Sequence, residues 1–315
     1  MLRFEKRLEP SQLWTLGAPI LAVLATMVLG GVMFWAMGID PFKALRLIFW
    51  DPIFGEFSFY YRPQLLVKAA PLILIALGLS IGFRAGIWNI GAEGQYIMGA
   101  IFAAGVALAF YPREAWYIFP LMVIAGAVGG ILWALIPALL RVKFRTNEIL
   151  VSLMLVYVAE FIQSSMAQGL MRNPDGMGFP GSRNLQKYPS AYNGELFEGT
   201  SIHWGVVAAA VAVFATYFLL NRHILGFQIR LTGESERAAR FSGVRPNVLI
   251  IFCLGVSGMV AGLAGMFEVS GPSGQISHSF NANYGFTAIV VAYLGRLNPF
   301  GIVLAGFLLA LTFIG

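Results

Sequence analysis

A short stretch of the sequence places one carboxylate and two amides inside a long apolar run. Glu93 follows Asn89 by four residues, so on a continuous helix the two side chains share a face, whereas Gln95 points elsewhere. A carboxylate buried among apolar side chains needs hydrogen-bond donors or a water-filled cavity, and Asn89 is able to donate its amide to Glu93. The chemistry open to such a group is a polar clamp between helices, contact with a passing solute, or the binding of a proton or ion.

A second polar stripe lies in the apolar run of residues 148–166. Tyr157, Glu160 and Ser164 recur at three- and four-residue spacing and therefore line one face of a helix, with Gln163 beside them. A helix face that forms hydrogen bonds in an apolar environment is directed at other helices or at an aqueous path. The candidate residues for such a path, taken from both stretches, are Asn89, Glu93, Gln95, Tyr157, Glu160 and Gln163.

Motifs for catalysis and metal binding are missing from the sequence. A phosphate-binding loop ends in Gly-Lys-Ser/Thr, but none of the lysines follows a glycine. The patterns His-Glu-x-x-His and Gly-x-Ser-x-Gly do not occur, and His203, His223 and His278 are far apart in the sequence. We therefore predict no catalytic residue, no metal site and no cofactor bound by this chain.

The composition indicates which elements must hold these side chains. Of the 315 residues 58% are hydrophobic and only 11% are charged, against about 25% charged in an average soluble domain. Charges this few cannot cover a water-soluble protein, whereas 36 glycines and 26 phenylalanines are typical of packed membrane helices. We therefore predict an all-α, polytopic membrane protein with about eight to ten spans in a lipid bilayer. The net charge of +6 then reflects basic loops at a membrane face and not binding to nucleic acid.

The apolar runs give the approximate positions of the spans. They comprise residues 13–37, 64–83, 87–110, 116–140, 148–166, 204–220, 247–267, 285–294 and 300–315. The run 285–294 is too short to cross about 30 Å, so we expect it to form a broken or re-entrant pair with the last run. Because the sequence ends inside an apolar run, we expect a single membrane domain over residues 1–315 with a further span beyond it.

The distribution of basic residues predicts the orientation of the chain. When the spans alternate from a cytoplasmic N-terminus, 13 of the 21 basic residues lie inside and seven lie in the longer outside segments, while Lys68 lies within a span. Positively charged loops favour the cytoplasmic side of a membrane. We therefore predict a multi-pass protein with a cytoplasmic N-terminus.

The longest inside segment, residues 221–246, is predicted to contain a short helix over residues 233–243. Ser235 or Glu234 suits an N-cap, and Gly243 is able to end the helix in the left-handed conformation. A helix this short is not stable alone and needs a docking partner. The alternative is an amphipathic helix that lies on the lipid surface.

The side chains of this short helix favour a protein partner. Ala238 and Ala239 would bury little area in lipid. Phe241 adds one protruding aromatic side chain to a surface of small residues. Acidic residues near the start and a basic residue near the end complement the helix dipole. The residues predicted to form the docking surface are Glu234, Glu236, Arg237, Ala238, Ala239, Arg240, Phe241 and Gly243.

The same segment carries a family resemblance. The pair Ala238-Ala239, followed by Gly243, resembles the coupling-helix signature of permease subunits of bacterial ABC importers. In that signature a glutamate usually stands where this sequence has Arg237.

Three further segments extend the resemblance over most of the chain from Leu65 onward. They are Asn-Ile-Gly-Ala-Glu-Gly-Gln at 89–95, Phe-Arg-Thr-Asn-Glu at 144–148 and Gly-Arg-Leu-Asn-Pro-Phe-Gly at 295–301. These segments are similar to the branch that imports ribose-type sugars and, more closely, nucleosides delivered by lipoprotein receptors.

What the resemblance implies is a permease subunit in a bacterial inner membrane that moves nucleosides or related simple sugars. The implied partners are ATPase subunits that bind ATP and Mg²⁺, a second permease subunit, identical or homologous, and an external lipoprotein or periplasmic receptor. Two other hypotheses stay open. One is an ion-coupled secondary transporter with Glu93 and Glu160 as relay carboxylates, and the other is a membrane scaffold without transport.

Overall fold

The computed structural model describes residues 12–280 and 282–314, with side chains from residue 17 onward, and this part of the chain is all-α. The helices are α1 (Gln12–Ala36), α2 (Pro41–Leu45), α3 (Asp51–Phe54), α4 (Ser58–Arg84), α5 (Ala92–Phe110), α6 (Ile118–Phe144), α7 (Glu148–Gln168), α8 (Trp204–Asn221), α9 (Ile224–Glu234), α10 (Glu236–Phe241), α11 (Pro246–Ser270), α12 (Tyr284–Leu294) and α13 (Pro299–Ile314). Seven of these helices are long and apolar enough to span a membrane: α1, α4, α5, α6, α7, α8 and α11. The predicted fold class, a polytopic α-helical membrane protein, is confirmed.

The described chain divides into two compact units. One contains residues 12–62 with Ile314, and the other contains residues 63–313. In the first unit, α1 has most of its apolar side chains exposed, and Asp40 caps α2 by accepting a hydrogen bond from the Phe42 backbone N–H at 2.9 Å. The candidate path and docking residues all belong to the second unit.

Glycines bring the central helices of the second unit into backbone contact. A Cβ atom added to Gly130 of α6 would overlap the carbonyl oxygen of Gly258 in α11, and one added to Gly99 of α5 would overlap Gly262. Helices approach this closely only where side chains are absent from the interface. These contacts hold α5, α6 and α11 together as the core that positions the polar side chains.

A break separates α4 from α5. Helix α4 ends at Arg84, Gly86 has φ +71°, and α5 begins only at Ala92. A left-handed φ is inexpensive for glycine and interrupts the helical path. The apolar run 87–110 therefore starts with non-helical chain over residues 87–90, whereas the sequence predicted one continuous span.

Helices α12 and α13 form the predicted broken pair. With 11 residues, α12 rises only about 16 Å and cannot cross a bilayer alone. Arg296 and Leu297 both adopt left-handed φ values, of 54° and 56°, and Asn298 accepts a hydrogen bond from the Phe300 backbone N–H at 3.0 Å. The turn between the two short helices is thus a defined structure with its own hydrogen bonds.

Candidate functional site

Glu93 is fully buried in the first turn of α5, where it faces the start of α12. The Gly285 backbone N–H donates to Glu93 Oε2, and the Phe286 backbone N–H also points at the carboxylate. Glu93 Oε1 is buried without a hydrogen-bond partner among the described residues. The free N–H groups at a helix start carry partial positive charge and stabilise an anion there. Glu93 therefore ties the broken helix α12 to α5.

The predicted contact between Asn89 and Glu93 is wrong. Asn89 Nδ2 instead donates to Gln95 Oε1 at 2.8 Å and to Ser257 Oγ at 2.9 Å, and Gln95 Nε2 donates back to Asn89 Oδ1 at 3.0 Å. Asn89 lies before the first residue of α5, so Asn89 and Glu93 are not on one continuous helix. Their spacing of four residues therefore does not place them on the same helix face. The two amides form a closed pair that joins the α4–α5 break to α11.

The stripe on α7 is divided between two environments. Gln163 is buried and donates from Nε2 to the Ser277 carbonyl oxygen at 2.8 Å. Tyr157 is 52% exposed, and Glu160 is half-buried and close enough to Glu93 for their charges to interact. The candidate path residues are therefore not one continuous surface, although Glu93 and Glu160 do lie near each other.

Four polar side chains beside Glu93 were missed by the sequence reasoning. Lys68 Nζ lies 4.0 Å from Glu268 Oε1 and donates to Tyr284 Oη at 3.2 Å. The rings of Tyr284 and Tyr96 meet edge to face with centroids 5.9 Å apart. The signal was available, because Lys68 and Glu268 are opposite charges in separate apolar segments, but the predicted span ended one residue before Glu268.

This polar centre brings together α4, α5, α11 and α12. It combines the ammonium of Lys68, whose side chain is 32% exposed, with two carboxylates and two phenols that are buried in the second unit: Glu93, Glu268, Tyr96 and Tyr284. In residues 12–280 and 282–314 there is no group of three or more His, Cys, Asp or Glu side chains placed to hold a metal ion. The chemistry that these groups offer is hydrogen bonding and charge, which suits the holding of helices or the passage of a hydroxylated solute.

The segment 221–246 contains two helices where one was predicted. Helix α9 occupies Ile224–Glu234, so Glu234 ends that helix and does not start the next one. The buried positions of α9 recur at helical spacing, a signal that the sequence reasoning missed. The predicted caps of α10 are confirmed: Ser235 Oγ accepts from the Ala238 backbone N–H at 3.3 Å, and Gly243 has φ +83°.

The surface of α10 differs from the prediction at one position. Ala239 is fully buried, so it packs inward and is not part of the exposed face. Phe241 is 96% exposed, and Ala238 and Arg237 are also exposed. Arg240 forms an ion pair with Glu236 at 2.5 Å across one turn of the helix. The exposed surface therefore consists of one aromatic ring surrounded by charged groups.

A backbone contact connects this segment to the α4–α5 break. A Cβ atom on Gly233, near the end of α9, would overlap the carbonyl oxygen of Arg84, the last residue of α4. The Arg84 guanidinium in turn donates to the Leu297 carbonyl oxygen from Nη2 at 2.8 Å and from Nε at 3.2 Å. A series of direct contacts thus runs from Gly233 in α9 through Arg84 to Leu297, in the turn between α12 and α13.

Comparison with known proteins places this architecture in a family. A family model described as the permease component of branched-chain amino acid transport systems matches residues 62–315. The chain is 36% identical to a glucose ABC transporter permease of Haloferax volcanii, over 95% of this chain and 80% of that protein. It is 30% identical to a guanosine ABC transporter permease of Bacillus subtilis, over 92% of this chain and 82% of that protein.

A third relative, a nucleoside ABC transporter permease of Lactococcus lactis, is 28% identical over 92% of this chain and 80% of that protein. No solved structure matches the chain significantly. The family model covers more than half of the sequence, and these relatives extend the match to almost its whole length. The chain is a multi-pass membrane protein that belongs to the ABC-transporter permease family, in the branch that contains these sugar and nucleoside permeases.

Proposed function

We propose that this chain is the permease subunit of an importer for nucleosides or simple sugars in a bacterial inner membrane. The names of its relatives, which are glucose, guanosine and nucleoside permeases, support this substrate class. The proposal includes a second permease subunit, an external receptor protein, and ATPase subunits that bind ATP and Mg²⁺. Two guanosine permeases of Bacillus subtilis are both relatives of this chain, which supports a pair of homologous permeases.

The exposed surface of α10 is the single observation that carries the coupling part of the proposal. A capped helix of only six residues is not stable alone, and its 96% exposed aromatic side chain gives a docking partner a central contact. We assign the ATPase contact to Phe241 and Ala238 of this surface and place the segment 221–246, with the N-terminus, on the cytoplasmic side. Ala239 supports that surface from within.

The line from Gly233 through Arg84 to Leu297 gives the proposed route of coupling. When the ATPase subunits change state, α10 and α9 move as one element, because Ser235 is both the C-cap of α9 and the N-cap of α10. The contact between Gly233 and Arg84 transfers that movement to the α4–α5 break. Coupling of this kind requires that the ATPase bind α10 with different affinity in its two states.

The proposed solute path uses the polar side chains of the second unit. Glu160 and Ser164 of α7 are half-buried, and Ser164 Oγ lies 3.0 Å from His278 Nδ1. Polar groups that are accessible on an apolar helix suit a hydroxylated solute better than a lipid tail. Of the six predicted path residues, Tyr157 and Glu160 are accessible and belong to the proposed path, whereas Asn89, Glu93, Gln95 and Gln163 are buried in contacts between elements.

Co-purification with the ATPase subunit tests this function. Phe241→Glu places a charge in the exposed aromatic surface and is expected to lower the amount of ATPase retained by the chain at least tenfold, in line with roughly 2 kcal/mol or more for a central aromatic contact. The matched control is Phe197→Glu, at a phenylalanine that is 66% exposed in the segment between α7 and α8. The control is expected to retain the ATPase fully.

Uptake by reconstituted vesicles decides between this function and ion coupling. We expect radiolabelled guanosine or glucose to accumulate only when the ATPase subunits, the receptor and ATP are all present. Accumulation driven by a proton or sodium gradient, with no ATPase in the vesicles, would show that the chain is a secondary transporter. Equal ATPase retention by Phe241→Glu and Phe197→Glu would remove α10 as the coupling element.

A further inference from the structure

A polar cavity of about 700 Å³ opens where three long helices of the second unit have their ends. Its walls come from the last turn of α6, the turn into α7, the short helix α10, and the first residues of α11. Four guanidinium groups and two carboxylates line it: Arg141, Arg145, Arg237, Arg240, Glu148 and Glu236. The cavity therefore carries a positive excess where the membrane spans meet water.

The carboxylates neutralise only half of the guanidinium groups. Arg141 forms an ion pair with Glu148, and Arg240 forms the pair with Glu236. Within residues 12–280 and 282–314, neither Arg145 nor Arg237 has an ion-pair partner. Arg145 and Arg237 both add positive charge at the cavity, so an anion bound there is stabilised.

Arg145 is the C-cap of α6 and adopts φ 54°, the left-handed conformation in which helices commonly end. One feature of the turn that follows is consistent with a ligand in this cavity. The hydroxyl oxygen of Thr146, which also lines the cavity, is buried without a hydrogen-bond partner among the described residues. A buried hydroxyl usually has a partner, so an acceptor in the cavity would satisfy it.

We propose that this cavity binds a phosphate group, and that its ligand is the headgroup of an anionic phospholipid. The planar guanidinium fork fits phosphate oxygens in pairs, and basic pockets between helix ends at a membrane surface are suited to lipid headgroups. Exposed apolar side chains lie in the adjoining turns: Phe144 is 71% exposed, Leu150 58% and Val248 59%. These side chains are placed to contact the acyl chains of the same lipid.

Native mass spectrometry of the full chain, released from nanodiscs of phosphatidylcholine and phosphatidylglycerol in equal amounts, tests the proposal. The wild-type chain is expected to retain phosphatidylglycerol in preference to phosphatidylcholine. The double variant Arg145→Gln/Arg237→Gln is expected to lower that preference about tenfold, because it removes two charge-assisted contacts. The matched control Lys143→Gln/Arg222→Gln removes the same charge from exposed residues outside the cavity and is expected to keep the preference.

Two further measurements separate the possible ligands. Inorganic phosphate, added to the chain in discs of phosphatidylcholine alone, tests for a ligand from solution. If it stabilises the wild type but not the arginine variant, and no lipid preference is seen, the lipid is excluded as the ligand. If the arginine variant keeps its lipid preference but no longer retains the ATPase subunit, the arginines belong to the protein interface and the proposal is wrong.

Discussion

Gly233 lies so close to the carbonyl oxygen of Arg84 that no side chain fits between α9 and the end of α4. Arg84 is also hydrogen-bonded through its guanidinium to Leu297, so one residue contacts both the 221–246 segment and the turn of the broken helix pair. In the proposed transport cycle, this contact lies between the ATPase-docking helix and the polar centre. Small changes at Gly233 should therefore affect coupling more than folding in the membrane.

Gly233→Ala is expected to force α9 away from Arg84. The added methyl group overlaps a backbone atom that cannot move aside easily, and overpacking of this kind costs about 1–3 kcal/mol. We expect the ATPase to remain bound while substrate-stimulated ATP hydrolysis and uptake fall together. The control is Gly255→Ala in α11, where a Cβ atom meets nothing within 4 Å. Equal uptake by the two variants would show that the Gly233 contact does not transmit movement.

Glu93→Ala is expected to destabilise the broken helix pair. The substitution leaves the Gly285 backbone N–H buried without its acceptor, which costs about 1–3 kcal/mol, whereas Glu93→Gln keeps an acceptor oxygen and costs less. Cys253 is the only cysteine and is buried, so its reaction with a fluorescent maleimide reports thermal unfolding in detergent. Glu198→Ala, at an exposed glutamate, serves as the control. A melting temperature for Glu93→Ala equal to that of the control would contradict the anchoring role.

The fold class, the long helices and the broken pair of α12 and α13 could be predicted from the sequence because they depend on local composition. The long apolar runs predicted the long helices, and the short run 285–294 predicted the broken helix pair. The caps at Ser235 and Gly243 were predictable because each acts on residues close to it in the chain.

The contacts within the polar centre could not be predicted in the same way. Helical spacing relates side chains only while the helix is continuous, and the break after Arg84 removed Asn89 from the helix of Glu93. Ala239 is buried because of the way α10 packs against the rest of the chain, and the sequence of α10 alone does not determine that packing. The proximity of Lys68 to Glu268 joins positions 200 residues apart, so only the packing of α4 on α11 reveals it.

A double-mutant cycle on Lys68 and Glu268 tests whether their proximity stabilises the protein. Lys68→Met leaves the buried Glu268 carboxyl with a weaker partner, and we expect it to lower the free energy of unfolding by about 1–3 kcal/mol. Glu268→Gln leaves Lys68, whose side chain is 32% exposed, and we expect it to cost less. The double variant should cost less than the sum of the two, with an interaction energy of about 0.5–3 kcal/mol. Shifts in melting temperature from the Cys253 assay, multiplied by the unfolding entropy of the wild type, give the free-energy differences for the cycle. Strict additivity would mean that the 4.0 Å contact contributes nothing.

His203 caps the start of α8 and is expected to make the stability of the chain depend on pH. Its Nδ1 atom accepts a hydrogen bond from the Gly205 backbone N–H at 3.0 Å and lies 3.0 Å from Asn193 Nδ2. Nδ1 can accept only while it carries no proton. Burial, and to a smaller extent the charge of Lys68, lower the pKa of the His203 imidazole to about 4 from an ordinary value near 6.5.

The folded state therefore binds fewer protons at this group than the unfolded state does. The contribution of His203 to stability is fully present above pH 6.5 and is lost as the pH falls towards 4, up to roughly 3 kcal/mol in total. His203→Asn keeps an acceptor for the cap but does not titrate, so it should lose less stability between pH 7.5 and pH 5 than the wild type. Thermal unfolding of both proteins at the two pH values measures the difference. Parallel losses in the two proteins would mean that other groups determine the pH dependence, because only the wild type carries the imidazole at this cap.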